Sequence, residues 1–153
     1  MATITASINL TSDITEYGFG ITKTMTMTKA GTTVGIENTN GLGVKNLSAT
    51  TAVVLELAAD ATASVANKVY IRNTSSNKAE HVKISLHASA SADTTVQIIG
   101  RLYGGDWMLF PYDAYPLDAD DSDGTSTHAN NWDICVAPST TEKMTIEYAV
   151  FHQ

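Results

Sequence analysis

The feature that most limits what this chain can become is an alternation of apolar and polar residues, broken by turns every ten residues or so. Thr3 to Leu10 sets Ile4, Ala6, Ile8 and Leu10 on one face and Thr3, Thr5, Ser7 and Asn9 on the other. Phe19 to Thr28 repeats the scheme with Phe19, Ile21, Met25 and Met27, and Lys23 is its one interruption. A period of two marks a strand with one face covered. Thr on the wet face suits it, because a β-branched side chain fits the pleat and tolerates water.

The same reading predicts strands at Thr32 to Asn38, Thr51 to Leu57, Lys68 to Asn73 and Glu80 to His87. It continues with Thr95 to Ile99 (Val96 and Ile98 inward), Asp106 to Phe110, Trp132 to Ala137 and Glu142 to Phe151. Turn residues separate them at Lys29-Ala30-Gly31, Asn40-Gly41, Asn73 to Asn77, Gly104-Gly105 and Asp123-Gly124. Ala58 to Ala66 is the one helix-like stretch; it has no apolar stripe and reads as a loop or a single turn. About nine or ten short strands without a helical pattern imply an all-β sandwich or barrel. No linker divides the 153 residues. The expectation is one antiparallel sandwich domain over residues 16–153, preceded by an arm or edge strand over residues 1–15.

Composition narrows the function classes. Nine basic against sixteen acidic residues give a net charge of −7. That argues against nucleic acid and anionic membranes as partners, since both call for a basic surface. No apolar run nears the ~20 residues of a membrane span. The start, Met1-Ala2-Thr3-Ile4-Thr5, does not read as a secretion signal, so the protein is expected not to be secreted. Charged residues make up 16%, below the ~25% of average domains. A surface that poor in charge is suited to being covered by neighbours.

No constellation for catalysis or metal binding emerges. His81 and His87 lie six residues apart on one predicted strand, both opposite Val82, Ile84 and Leu86. At ~3.3 Å per residue they stand ~20 Å apart and cannot share an ion. The acidic run Asp118 to Asp123 invites a calcium reading. With Gly124 at the sixth position of a helix-loop-helix site, Ala119 and Asn130 fall where oxygen ligands at positions 1 and 12 are required. An irregular ion site on that loop stays open, beside the reading of a solvated loop. No nucleophile elbow or phosphate loop occurs. The single cysteine, Cys135, has no patterned His partner and reads as packing. No catalytic residue, metal ligand or cofactor is assigned, and the chain is not expected to be an enzyme.

Tyr103, Trp107, Phe110, Tyr112, Tyr115 and Trp132 are six of the eleven aromatics, and the segment they span contains no Lys or Arg. Aromatic-rich, Lys-poor surface is the composition of an interface core. It would equally fill the domain's own core, or stack on sugar rings. Ile4, Ile8 and Leu10 join these residues as interface candidates, because their strand could add to a neighbour's edge.

Three pieces carry a family resemblance. They are Lys68-Val69-Tyr70-Ile71-Arg72-Asn73 with His81-Val82-Lys83-Ile84 after a polar turn; Ile99 to Trp107 with Phe110-Pro111; and Asp133 to Ala137 with Ile146-Glu147-Tyr148. Over residues ~50 to 153 the chain resembles the small jelly-roll virion proteins of tailed bacteriophages, cyanophage ones in particular. The resemblance implies a jelly-roll-like sandwich and a structural role in the virion, assembled in the host cytoplasm. A capsid decoration or cement protein is the first expectation. Its partners would be the major capsid protein and copies of itself, as a homotrimer. A tail or fibre component and a carbohydrate-binding module for host adhesion are the alternatives.

Overall fold

The computed structural model describes residues 4–12, 19–28, 34, 38–39, 41–48, 50–56, 67–88, 96–112, 132–140 and 143–152. They form eleven strands and, among the described residues, no helix. The strands are β1 (Ile4–Ser12), β2 (Phe19–Met27), β3 (Asn38–Thr39), β4 (Gly43–Leu47), β5 (Val53–Glu56), β6 (Asn67–Asn73), β7 (His81–Ala88), β8 (Val96–Tyr103), β9 (Trp107–Tyr112), β10 (Trp132–Pro138) and β11 (Met144–His152).

Two antiparallel sheets make the body. One has the order β5-β10-β7-β8; the other runs β3-β11-β6-β9, with β4 also paired to β11. From β4 to β11 every connection crosses between the sheets except the β7–β8 hairpin. This winding is the eight-stranded jelly roll. The chain is an all-β sandwich of jelly-roll type, and its core lies between the two sheets. Val69, Ile71, Ile146 and Val150 from one sheet meet Val82, Ile84, Ile134 and Val136 from the other, all fully buried. Each of these eight is β-branched, stiff at χ1 and suited to a pleated face.

Strand β4 is absent from the pattern-based reading, and its register shows why. Gly43, Lys45 and Leu47 lie opposite Tyr148, Ile146 and Met144, so the core-facing positions hold only one large apolar residue. A Cβ on Gly43 would stand 2.9 Å from the Tyr148 ring, so glycine makes room for the aromatic there. Lys45 sits at the rim, and its ammonium donates to the Val54 carbonyl of the facing sheet at 2.6 Å. Of the expected turn at Asn40-Gly41, Gly41 lies between two strands of one sheet edge, and Asn40 lies outside the described residues. β3 and β4 pair with successive parts of β11, and Gly41 takes a φ of +72° between them.

Strand β8 corrects a second expectation. Ile84 pairs with Gly100 and Ser85 with Ile98, so Ile99 is an extra residue in a bulge. A bulge reverses the alternation beyond it. Val96 and Ile98, expected to face inward, are exposed, Ile98 by 64%. The strand also extends through Tyr103, past the predicted end at Ile99. The Thr32 to Asn38 strand and the Ala58 to Ala66 segment lie largely or wholly outside the described residues, as does the expected boundary near residue 15.

Candidate functional site

Among the described residues, strands β1 and β2 pair only with each other. Their register sets Ile4, Ala6, Ile8 and Leu10 opposite Met27, Met25, Lys23 and Ile21. Directly opposed residues share a face, so this two-stranded ribbon has one mainly apolar face, interrupted by Lys23 and ending in Ser12. The other face carries Thr5, Ser7, Asn9 and Thr11 against Thr26, Thr24, Thr22 and Gly20. There Ser7 and Thr24 share a hydroxyl hydrogen bond at 3.1 Å, and the Thr22 hydroxyl donates to the Asn9 side-chain oxygen at 3.3 Å.

The apolar face is covered only at its base. Met27 is buried, and Ile4 and Ala6 are half-buried. Farther out, Ile8 and Met25 are exposed, Ile21 by 43% and Leu10 by 51%. Ile21 and Met25, read from the alternation as inward, are therefore exposed, and no second layer lies over them among the described residues. The candidate residues Ile8 and Leu10 belong to this uncovered part. An isolated two-stranded hairpin is marginal in water, and a further layer is what ordinarily stabilises one.

The base of the ribbon borders a cleft of about 610 Å3 on the outer face of the five-stranded sheet. Its walls are Ile4 to Ser7 and Met27; its floor is Tyr70, Arg72, Trp107, Leu109 and Phe151, with Gly105 at one end. The Tyr70 and Trp107 rings lie 6.3 Å apart at 40°, within the range of favourable tilted aromatic pairs. Trp107 is 48% exposed. Arg72 lies opposite both Trp107 on β9 and Glu147 on β11, and its guanidinium donates to the Glu147 carboxylate at 3.3 Å.

The aromatic segment does not make one surface. Along β9, Trp107, Leu109 and Pro111 take the outer face while Met108, Phe110 and Tyr112 take the inner one. Phe110 packs against the core and Tyr112 is part of it, which removes both from any interface. Alternation along one strand cannot set all of them outward. The Tyr112 hydroxyl donates to the Trp132 carbonyl, and Trp132 is half-buried. Tyr103 lies on the other sheet, its ring 5.3 Å from that of His81. Tyr115 lies outside the described residues, as does the Asp118 to Asp123 loop.

Among the described residues no three His, Cys, Asp or Glu side chains converge as a metal site. His87 pairs with the buried Ser85 hydroxyl at 3.0 Å. Cys135 lies opposite Ser85 and Val54, away from the inter-sheet core, yet it is buried. Burial pushes its thiol up to about 11, with Asp133 adding to the rise and Lys45 opposing it. A thiol held protonated in this way is a poor nucleophile.

Asn73 and the Gly104-Gly105-Asp106 turn build one end of the sandwich. Asn73 is fully buried. Its amide donates to the Leu102 carbonyl at 3.1 Å, and its side-chain oxygen accepts from the Ser75 backbone at 3.1 Å. Its backbone N–H donates to Asp106, and its carbonyl accepts from Gly105. The Arg-Asn turn after β6 is thereby locked to the Gly-Gly-Asp turn after β8. A Cβ on Gly104 would come within 2.3 Å of the Asn77 carbonyl oxygen, so glycine is required for the close approach. The role of Asn73 escaped the sequence reading; the polar run that follows it, with an Asx turn onto Ser75, was the available signal.

No family model matches the chain, and no curated protein matches it. Among solved structures, the crystal structure of a Yersinia pseudotuberculosis-derived mitogen is similar at 9% identity and a TM-score of 0.43. The likeness covers 76% of this chain and 86% of that one, and at that level it carries no functional argument.

Proposed function

We propose that this chain is a structural protein of a tailed-phage virion, a decoration or cement protein that binds the assembled capsid shell. The observation that carries the reading is the ribbon: a polar-backed strand pair whose outer apolar face, Ile8, Leu10, Ile21 and Met25, is exposed and has no covering layer among the described residues. Such a face is completed when it lies on a neighbour, either a shell subunit or another copy in a trimer. A protein that binds only the assembled shell stabilises it by mass action. The sandwich supplies a rigid body that needs nothing from the ribbon to close its core. The low charge content and the resemblance of residues ~50 to 153 support the same reading.

Quantitative mass spectrometry of purified particles carrying this protein tests it. The expected result is a copy number comparable to that of the major capsid protein. A handful of copies would assign it to the tail or fibre, and its absence from particles would overturn the virion reading altogether.

A further inference from the structure

The cleft at the base of the ribbon has a composition that shell binding does not use. The geometry points to a saccharide-binding site there, with Trp107 as the stacking platform and Arg72, paired with Glu147 behind it, as the hydroxyl partner. It is independent of the shell-binding reading, which concerns the distal half of the ribbon.

Three observations carry it. First, Trp107 is 48% exposed on the flat outer face of a sheet, with Tyr70 tilted against it at 6.3 Å. A large exposed indole in a concavity is an apolar platform with a polar rim, which is what the C–H face of a pyranose ring requires. Second, Trp107, Arg72 and Glu147 stand on adjacent strands in one row, at the ~4.8 Å spacing of a sheet. Arg72 lines the cleft beside Trp107, so a ring stacked on the indole has edge hydroxyls over the guanidinium, with Glu147 one strand farther along the row. The bond from Arg72 to Glu147 at 3.3 Å fixes both groups. It engages one of five guanidinium N–H donors, and the carboxylate keeps spare acceptor sites. Third, four consecutive β1 residues, Ile4 to Ser7, line the opposite wall. Successive side chains point to opposite faces, so β1 meets the cleft edge-on and brings backbone polar groups to it. The volume, about 610 Å3, falls within the ~300–1,000 Å3 of small-ligand clefts.

An extended apolar peptide added to the β1 edge is the competing occupant. It would cover the Arg72 guanidinium and bring no hydroxyl acceptors to its remaining N–H donors, and unsatisfied burial of charge is costly. Sugar hydroxyls supply those acceptors.

Calorimetric titration of the full chain with soluble hexasaccharides of glucose, galactose, mannose and N-acetylglucosamine tests the assignment. At least one is expected to bind saturably. Trp107→Ala should weaken that binding about tenfold or more, a loss of ~1.4 kcal/mol, while Trp107→Phe keeps most of it. Arg72→Ala should weaken it several-fold, and Tyr103→Ala, an exposed aromatic on the other sheet, should leave it unchanged. Unfolding midpoints of the variants show whether each remains folded. Failure of all four sugars to bind would overturn the assignment, as would binding indifferent to Trp107 and Arg72. Trp107-dependent binding of an alternating Val-Thr decapeptide in place of any sugar would also overturn it and give the cleft to an added strand.

Discussion

The sandwich body and the β1–β2 ribbon show the same period-two pattern and differ in what lies over it. In the body, Ile71 and Ile146 on one sheet and Ile84 and Ile134 on the other are fully buried, each layer being the other's cover. In the ribbon, Leu10 and Ile21 sit opposite each other in register and remain about half exposed. Alternation specifies a strand and its two faces. It does not specify the covering layer, which belongs to topology in one case and, on the proposal above, to another molecule in the other.

The sharpest way to test this contrast is to truncate one aliphatic side chain in each region. Ile146→Ala should cost ~2–5 kcal/mol of unfolding free energy, the range for large-to-small changes in a packed core. Leu10→Ala in the free chain should change it by no more than ~0.5 kcal/mol, as for other exposed sites. Denaturant titrations of the two variants decide it. Equal losses would mean that the ribbon is part of the same cooperative core.

A smaller effect is expected where the body is held by polar contacts instead of packing. Asn73→Ala strips the amide from the lock between the two turns, leaving the Leu102 carbonyl and the Ser75 N–H without it. The expected cost is ~1–3 kcal/mol, with increased amide exchange at Gly105 and Asp106 as its local signature. A change within error would mean that the backbone bonds alone hold this end.

The smallest effect is the pH response of Cys135. Its pKa in the folded chain, about 11, lies above the ordinary value of 9.0. The folded state therefore keeps a proton that the unfolded state gives up first. Stability contributed by the neutral thiol is fully present below pH 9 and falls as pH rises through about 11. The loss of unfolding free energy across that window should be smaller in Cys135→Ala than in the parent chain. An identical slope in both would show that the thiol is not held protonated.

Much of the fold was legible from residue order. Nine of the eleven strands fall on segments that read as strands, eight by alternation, which burial on one face forces, and β9 as a short apolar run. Strand β4 was hidden because Gly43 yields its space to the Tyr148 ring and Lys45 reaches from the rim to the Val54 carbonyl. The outward turn of Val96 and Ile98 was hidden because the one-residue bulge at Ile99 has no compositional mark. Of the site, Ile8, Leu10 and Trp107 were picked out as surface candidates. Phe110 and Tyr112 were grouped with them because an aromatic-rich segment looks alike whether it covers a core or a partner. That Tyr70, Arg72 and Glu147 gather beside Trp107 is not legible, since three strands distant in sequence, β6, β9 and β11, bring the four together.

The central claim is that the body is complete in itself and the ribbon is completed by a partner. Replacing the opposed pair Leu10 and Ile21 with Glu, as Leu10→Glu/Ile21→Glu, separates the two directly. The measurement is incorporation of the variant into particles, scored beside its thermal unfolding midpoint in solution. The account predicts an unfolding midpoint close to that of the parent chain, with incorporation lost. Undiminished incorporation by the folded variant would contradict it.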